Sequence, residues 1–199
     1  MRFALSFEGS LPSSGNEKNV PGQPPKPSKL KAVWDIRNAI NPQFTRLRHV
    51  HKAFRGDDGA SGMMLVRLND PVVVGDQQFL PLVRPVLMLK CGLRIEMLVN
   101  HDVPSVLTKT GDLDNRLKTL LDGLRCPTGP QEVKRYKPAN AAPYYCLLED
   151  DALITSLQID THRDLAASAT APADHVRLNI MVTVEPAESD VLNRPFQGD

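Results

Sequence analysis

Phe3, Leu5 and Phe7 alternate with Arg2, Ala4, Ser6 and Glu8, the period-two signature of a strand with one buried face. Residues 9–27 then collect Pro12, Pro21, Pro24, Pro25 and Pro27 among Gly, Ser and Asn, a composition that sustains neither a helix nor a central strand and predicts a loop. Ser28 can cap a helix on which Leu30, Val33, Trp34 and Ile40 share one side. Asn41-Pro42 predicts a break there, with Asn41 capping a second helix that turns Phe44, Leu47 and Phe54 inward. Short strands are expected at 63–68 and 79–83. In 86–99, Leu87, Leu89 and Cys91 share a face before Gly92, and Leu93, Ile95, Met97 and Val99 share one after it, so Gly92 marks a bulge or bend in a strand. Leu113, Leu117, Leu120, Leu121 and Leu124 have helical spacing, which starts a helix near Asp112–Asp114 and ends it as Pro127 approaches. A strand at 153–159 places Leu153, Leu157 and Ile159 on one face. The clearest strand is 176–184, where Val176, Leu178, Ile180, Val182 and Val184 alternate with polar residues and Met181. Beyond Pro186 a loose tail, 187–199, is expected.

Runs of strand pattern interleaved with helices predict an α+β fold, α/β-like in its element order: a single domain over 1–186 with a mixed β-sheet packed against helices. A length of 199 residues suits one core. Hydrophobic residues at 41% and charged ones at 24% match soluble globular proteins. Net charge is only +1, so a polyanion partner must be argued from local charge. Such charge exists at Lys26, Lys29, Lys31, Arg37, Arg46, Arg48, Lys52 and Arg55, opposed there by Asp35. A solvated helical face explains the same run equally well. Cys91, Cys126 and Cys146 include no CxxC pair, which argues against a zinc ribbon or a disulfide framework and predicts reduced thiols in a cytoplasm. The first residues do not read as a signal peptide, and no apolar run approaches the roughly 20 residues that span a bilayer. No membrane association is expected.

Candidate chemistry concentrates in Gly111-Asp112-Leu113-Asp114-Asn115-Arg116-Leu117-Lys118 and in Leu148-Glu149-Asp150-Asp151-Ala152. Asp112 and Asp114 fall at the positive end of a helix dipole. Asp114, Lys118 and Asp122 line up at i, i+4 and i+8. If the strand after Asp151 pairs beside the one ending near Val99, Asp150 or Asp151 is carried toward the start of this helix. Each pair of converging carboxylates at about 4 Å repels by roughly 4 kcal/mol at an effective dielectric near 20. A raised pKa or a bound cation must offset that. All-oxygen donors suit Mg2+ or Mn2+. The plainer alternative makes Asp112 a helix cap and Asp114–Lys118 a surface pair worth about 0.2–0.5 kcal/mol. The histidines form no HExxH, and no serine lies in GxSxG, so zinc-metalloprotease and serine-hydrolase patterns are missing.

At Asp112-Leu113-Asp114-Asn115, Lys118, Asp122-Gly123-Leu124 and Asp150-Asp151-Ala152 the chain resembles the RusA family of Holliday junction resolvases, over roughly residues 86–184. The resemblance implies a homodimeric, magnesium-dependent endodeoxyribonuclease that cuts four-way DNA junctions by paired phosphodiester hydrolysis in recombination and repair. It implies Asp112, Asp114 and Asp151 as ligands of Mg2+ (Mn2+ as a substitute), with Asp150 as a further candidate and Lys118 as the catalytic cation. A cytoplasmic, bacterial or phage-encoded protein is expected. The segment before DLDN supplies only Lys109 as a cation, and the stretch from 127 to 147 is longer than the family's short link and reads as an insertion loop. With Lys134, Arg135, Lys137, Tyr136, Tyr144 and Tyr145, that loop is a candidate for backbone contact and base stacking. Expected DNA contacts are Lys109, Arg116, Lys134, Arg135 and Lys137. Two alternatives stand beside the nuclease: a protein that binds branched DNA without cutting it, and a nucleotide-sugar transferase using Asp112-Leu113-Asp114 as a metal-diphosphate motif.

Overall fold

The computed structural model describes residues 1–12, 29–54, 61–100, 113–134, 143–168 and 170–196. Its centre is a four-stranded mixed sheet in the order β1-β7-β4-β6, built from β1 (Arg2–Ser10), β4 (Leu89–Val99), β6 (Ile154–Arg163) and β7 (His175–Pro186). The two longest strands carry the strictest alternation. In β4 every odd residue from Leu89 to Val99 is buried, and in β7 every even residue from Val176 to Val184. Antiparallel pairing sets Ile95 opposite Ile180 and Leu93 opposite Val182, so both apolar rows fall on one face. Leu5 and Phe7 of β1 extend the same face opposite Ile180 and Leu178. The register shift lies between Cys91 and Gly92, as the glycine predicts, yet β4 keeps its alternation there. The extra residue is Thr155 on β6, since Cys91 pairs with Ile154 and Gly92 with Ser156.

The apolar face is covered by α1 (Lys29–Val50) and α3 (Leu113–Leu124). α1 is one helix of 22 residues with Pro42 inside it, where the sequence predicts two. Proline removes one backbone donor, but Ile36, Ile40 and Phe44 are all buried, so burial on both sides of Pro42 keeps the helix continuous. A second, smaller sheet of order β2-β3-β5 combines β2 (Val72–Val74), β3 (Gln77–Val83) and β5 (Tyr144–Leu148). It closes a separate cluster around Trp34, Phe79, Val133 and Tyr144.

Several expectations change. Residues 63–68 fall in a helix, α2 (Ser61–Asn69), with Met64 and Leu68 buried at i and i+4. The expected insertion loop holds α4 (Pro130–Lys134) and the buried strand β5. Its YYCLL run is apolar on both faces and so shows no alternation. The tail is ordered through a 3₁₀ turn at Val191–Phe196, which buries Phe196 and Asn193; Asn193 Nδ2 donates to Leu87 O at 3.2 Å. Seven strands and four α-helices among the described residues make this an α+β domain. None of the described helices is long and apolar enough to cross a membrane.

Candidate functional site

α3 lies along the sheet and joins its two ends. On its buried face Arg116, Thr119, Leu120, Gly123 and Leu124 turn inward. Gly123 is required by the close approach of α1: a Cβ there would stand 2.7 Å from Ile36 Cγ2. At the C-terminal end, Cys126 N donates to Leu148 O at 2.8 Å and Arg125 bridges Leu148 in parallel fashion. The buried Arg37 donates through Nη2 to Asp122 O (2.8 Å), Arg125 O (3.3 Å) and Glu132 Oε2 (3.2 Å), satisfying carbonyls that a helix end leaves open. Its guanidinium also lies 5.0 Å from the Trp34 ring centre. Lys29 Nζ and Arg125 Nη2 clamp Asp122 at 2.9 and 2.6 Å. Burial alone would raise the Asp122 carboxyl, but these two cations outweigh it and hold it below the ordinary range. Glu132 is lowered in the same way, burial being outweighed by Thr128 and Arg37.

At the N-terminal end the described residues are fewer. Asp114 and Lys118 are both more than half exposed and pair at 2.8 Å, which is the plain surface pair of the alternative reading. Asp112 and Lys109 lie outside the described residues. Arg116 points inward, 1% exposed, and Nη2 donates to Ala173 O at 3.4 Å. Burial lowers its pKa, opposed by Asp174. Arg116 is therefore a structural residue, and its expected place among the DNA contacts is corrected. Ala173 and Asp174 lead into β7, whose Val176 pairs with Val99, so Asp114 belongs to the sheet end formed by Val99, Arg163 and Val176.

Asp150 and Asp151 belong to the other end. Asp150 caps a 3₁₀ turn at Asp151–Leu153, accepting from Ala152 N at 2.8 Å, and Asp151 is exposed on that turn. β6 then runs beside β4 as expected, but parallel to it, from Ile154 opposite Cys91 to Arg163 opposite Val99. Eight residue steps of β4 at about 3.3 Å each set these ends roughly 26 Å apart. A metal ion binds oxygens within about 2.6 Å, so within one chain Asp114 and Asp151 do not share an ion, and the expected convergence is corrected. Among the described residues no group of three His, Cys, Asp or Glu side chains could hold a metal.

The basic run of α1 is largely consumed internally. Arg37 is buried, Lys29 and Lys31 pair with Asp122 and Asp35, and Arg48 sits 5.0 and 4.9 Å from the Phe54 and Tyr145 ring centres. Of the tyrosines proposed to stack on bases, Tyr144 and Tyr145 are committed too. Tyr144 Oη donates to Asn38 Oδ1 at 2.6 Å within the second cluster, and burial pushes its pKa up. Lys134 is exposed at the end of α4; Arg135, Tyr136 and Lys137 lie outside the described residues. All three cysteines are free and buried, with Cys126 Sγ and Cys146 Sγ 3.1 Å apart and Cys91 pushed up to about 12 by burial.

One surface escaped the sequence reading: a concavity on the outer face of the four-stranded sheet, with Arg2, Lys90 and Arg94 around Gly92. Its signal was present, because alternation that buries Cys91 and Leu93 must turn Lys90 and Arg94 outward. Comparison of the chain with protein-family models, curated proteins and solved structures returned no match.

Proposed function

We propose that the protein is a metal-dependent endodeoxyribonuclease for branched DNA that works as a twofold homodimer, with Asp112 and Asp114 of one copy acting together with Asp151 of the other. The DLDN and DDA segments and their resemblance to junction resolvases suggest the reaction. The observation that carries the dimeric form is the edge strand β6. It is exposed along most of its length, and its first residue lies at the Asp151 end while its last lies at the Asp114 end. Antiparallel pairing of β6 with a second β6 about a twofold axis would set the start of one strand beside the end of the other. The opposite edge is less suited to this: Gln43 occupies β1, accepting from Ser6 N at 3.0 Å and donating to Ser6 O at 2.7 Å, a side-chain plug of the kind that blocks edge pairing. Since one chain alone does not bring Asp114 and Asp151 together, no hydrolytic step through Mg2+ or Mn2+ is derived from it. In the dimer those three carboxylates are the oxygen donors that suit such an ion, and Lys118 would offset charge on the phosphate.

Complementation tests the reading. With Mg2+ and a four-way junction, wild type is expected to cut, while Asp114→Asn and Asp151→Asn each lose about 100-fold or more, the scale set by removing one main electrostatic contributor. Mixing the two inactive variants and allowing subunit exchange should restore nicking, because each mixed dimer then owns one site with both carboxylates intact. A mixture as inactive as its parents, both folded, overturns the shared site. Junction binding without any cutting by wild type favours the non-catalytic alternative, which the separation of Asp114 from Asp151 within a chain also suits.

A further inference from the structure

Among the described residues the outer face of the four-stranded sheet carries no helix, and its residues alternate with the buried rows of β4 and β7. Register places Arg2, Thr183, Gly92 and Ser156 in one row across all four strands. The next row holds Met181, Arg94 and Gln158, and on the other side Lys90 pairs with Glu185. These residues line a concavity open to solvent. Its floor is low because Gly92 has no side chain and is flanked by the small residues Thr183 and Ser156; a Cβ at Gly92 would meet nothing closer than 3.7 Å. Lys90 and Arg94 stand along one strand, about 13 Å apart at 3.3 Å per residue, and Arg2 rises two strands away. Among the described residues the one carboxylate lining the concavity is Glu185. Arg94 has a long contact to the half-buried Asp160, 3.7 Å, with its own side chain exposed; such a water-screened pair exchanges for a phosphate.

We infer that this groove binds the phosphodiester backbone of DNA, with Arg2, Lys90 and Arg94 as phosphate contacts and the Gly92 floor admitting the strand. Charge complementarity selects the occupant. The lining includes hydroxyl and amide groups at Ser156, Thr183 and Gln158 that serve as neutral donors to phosphate oxygens. Met181 is its one exposed large apolar side chain among the described residues, short of the clustered anchors a protein partner would need. The groove contains none of the residues assigned to cutting. Its place in the protein rests on the proposed function: pairing of β6 edges would join the outer faces of two copies into one surface with two such grooves related by the twofold axis, a match to the arms of a branched DNA.

Equilibrium binding of the full chain to a fluorescent four-way junction and a linear duplex, without divalent cation and over a range of salt, tests this. Gly92→Glu, which places a carboxylate on the floor, should weaken binding by about tenfold or more, and Gly92→Ala should not. The combined Arg2→Ala, Lys90→Ala, Arg94→Ala variant should lower the slope of log affinity against log salt by about 2 to 3, close to 0.9 for each phosphate no longer neutralised. Wild-type affinity and slope in both the Glu variant and the triple variant, or no DNA binding by the wild type at low salt, overturn the inference. Cutting by wild type with binding unaltered in both overturns the groove alone. Weakened binding in the variants of a protein that never cuts leaves the groove standing and removes the nuclease reading.

Discussion

At its C-terminal end α3 is held by Arg37, Lys29 and Arg125 through contacts of 2.6–3.3 Å to the Asp122 carboxylate and to the carbonyls of Asp122 and Arg125, whereas at its N-terminal end the exposed Asp114 pairs with Lys118. Both ends combine aspartate with cations. Burial separates them: charge-assisted contacts partly withdrawn from water are stronger and hold the helix end in place, while an exposed pair contributes little to stability. Asp122 looks, in sequence, like part of the acidic constellation; in the fold it is an anchor. Asp114 has the opposite status.

Disrupting the anchored end should cost most. Arg37→Met would strip partners from Asp122 O, Arg125 O and Glu132, and removal of one side of a buried charge network destabilises by about 3–5 kcal/mol; a fall in the urea midpoint at unchanged slope measures it. A denaturation curve like that of wild type would show that the guanidinium is not the clamp. Gly123→Ala should come next. The added methyl overlaps Ile36 Cγ2 and Cβ, at 2.7 and 2.8 Å, and overpacking of about 1–3 kcal/mol outweighs a helix-propensity gain of roughly 1 kcal/mol. The net loss, about 1 kcal/mol, is readable in the same experiment.

Acid titration gives the smallest and sharpest contrast. Asp122 and Glu132 have lowered folded pKa values, so the stability they contribute is present above their unfolded pKa values of about 3.9 and 4.3 and is lost as pH falls through the lower folded values. Thermal midpoints should therefore drop below about pH 5 in wild type, and Asp122→Asn should flatten that drop. At neutral pH Asp114→Asn should shift stability by less than about 0.5 kcal/mol. A loss of stability with Asp114→Asn equal to that with Asp122→Asn would erase the distinction between the two ends.

What could be read in the sequence follows the range of the physics involved. The alternation in β7 and β4 named their buried rows residue by residue, because which face a strand side chain takes depends only on its neighbours along the chain. The start of β1 and the leucine face of α3 were legible for the same reason. Pro42 misled because its local cost is offset by burial of Ile36, Ile40 and Phe44 on the sheet, and β5 was missed because a strand buried on both faces shows no period.

By itself, then, the amino-acid order determined the faces of β1, β4 and β7, the helix that begins at the DLDN segment and the outward turn of Lys90 and Arg94. Tertiary structure alone decided that β6 runs parallel to β4, that Asp151 stands at the far end of the sheet from Asp114, and that Asp122 and Arg116 serve packing. Strand direction is a long-range choice, set by how the chain crosses between residues 99 and 154 and by which apolar rows must share one face; no local pattern encodes it.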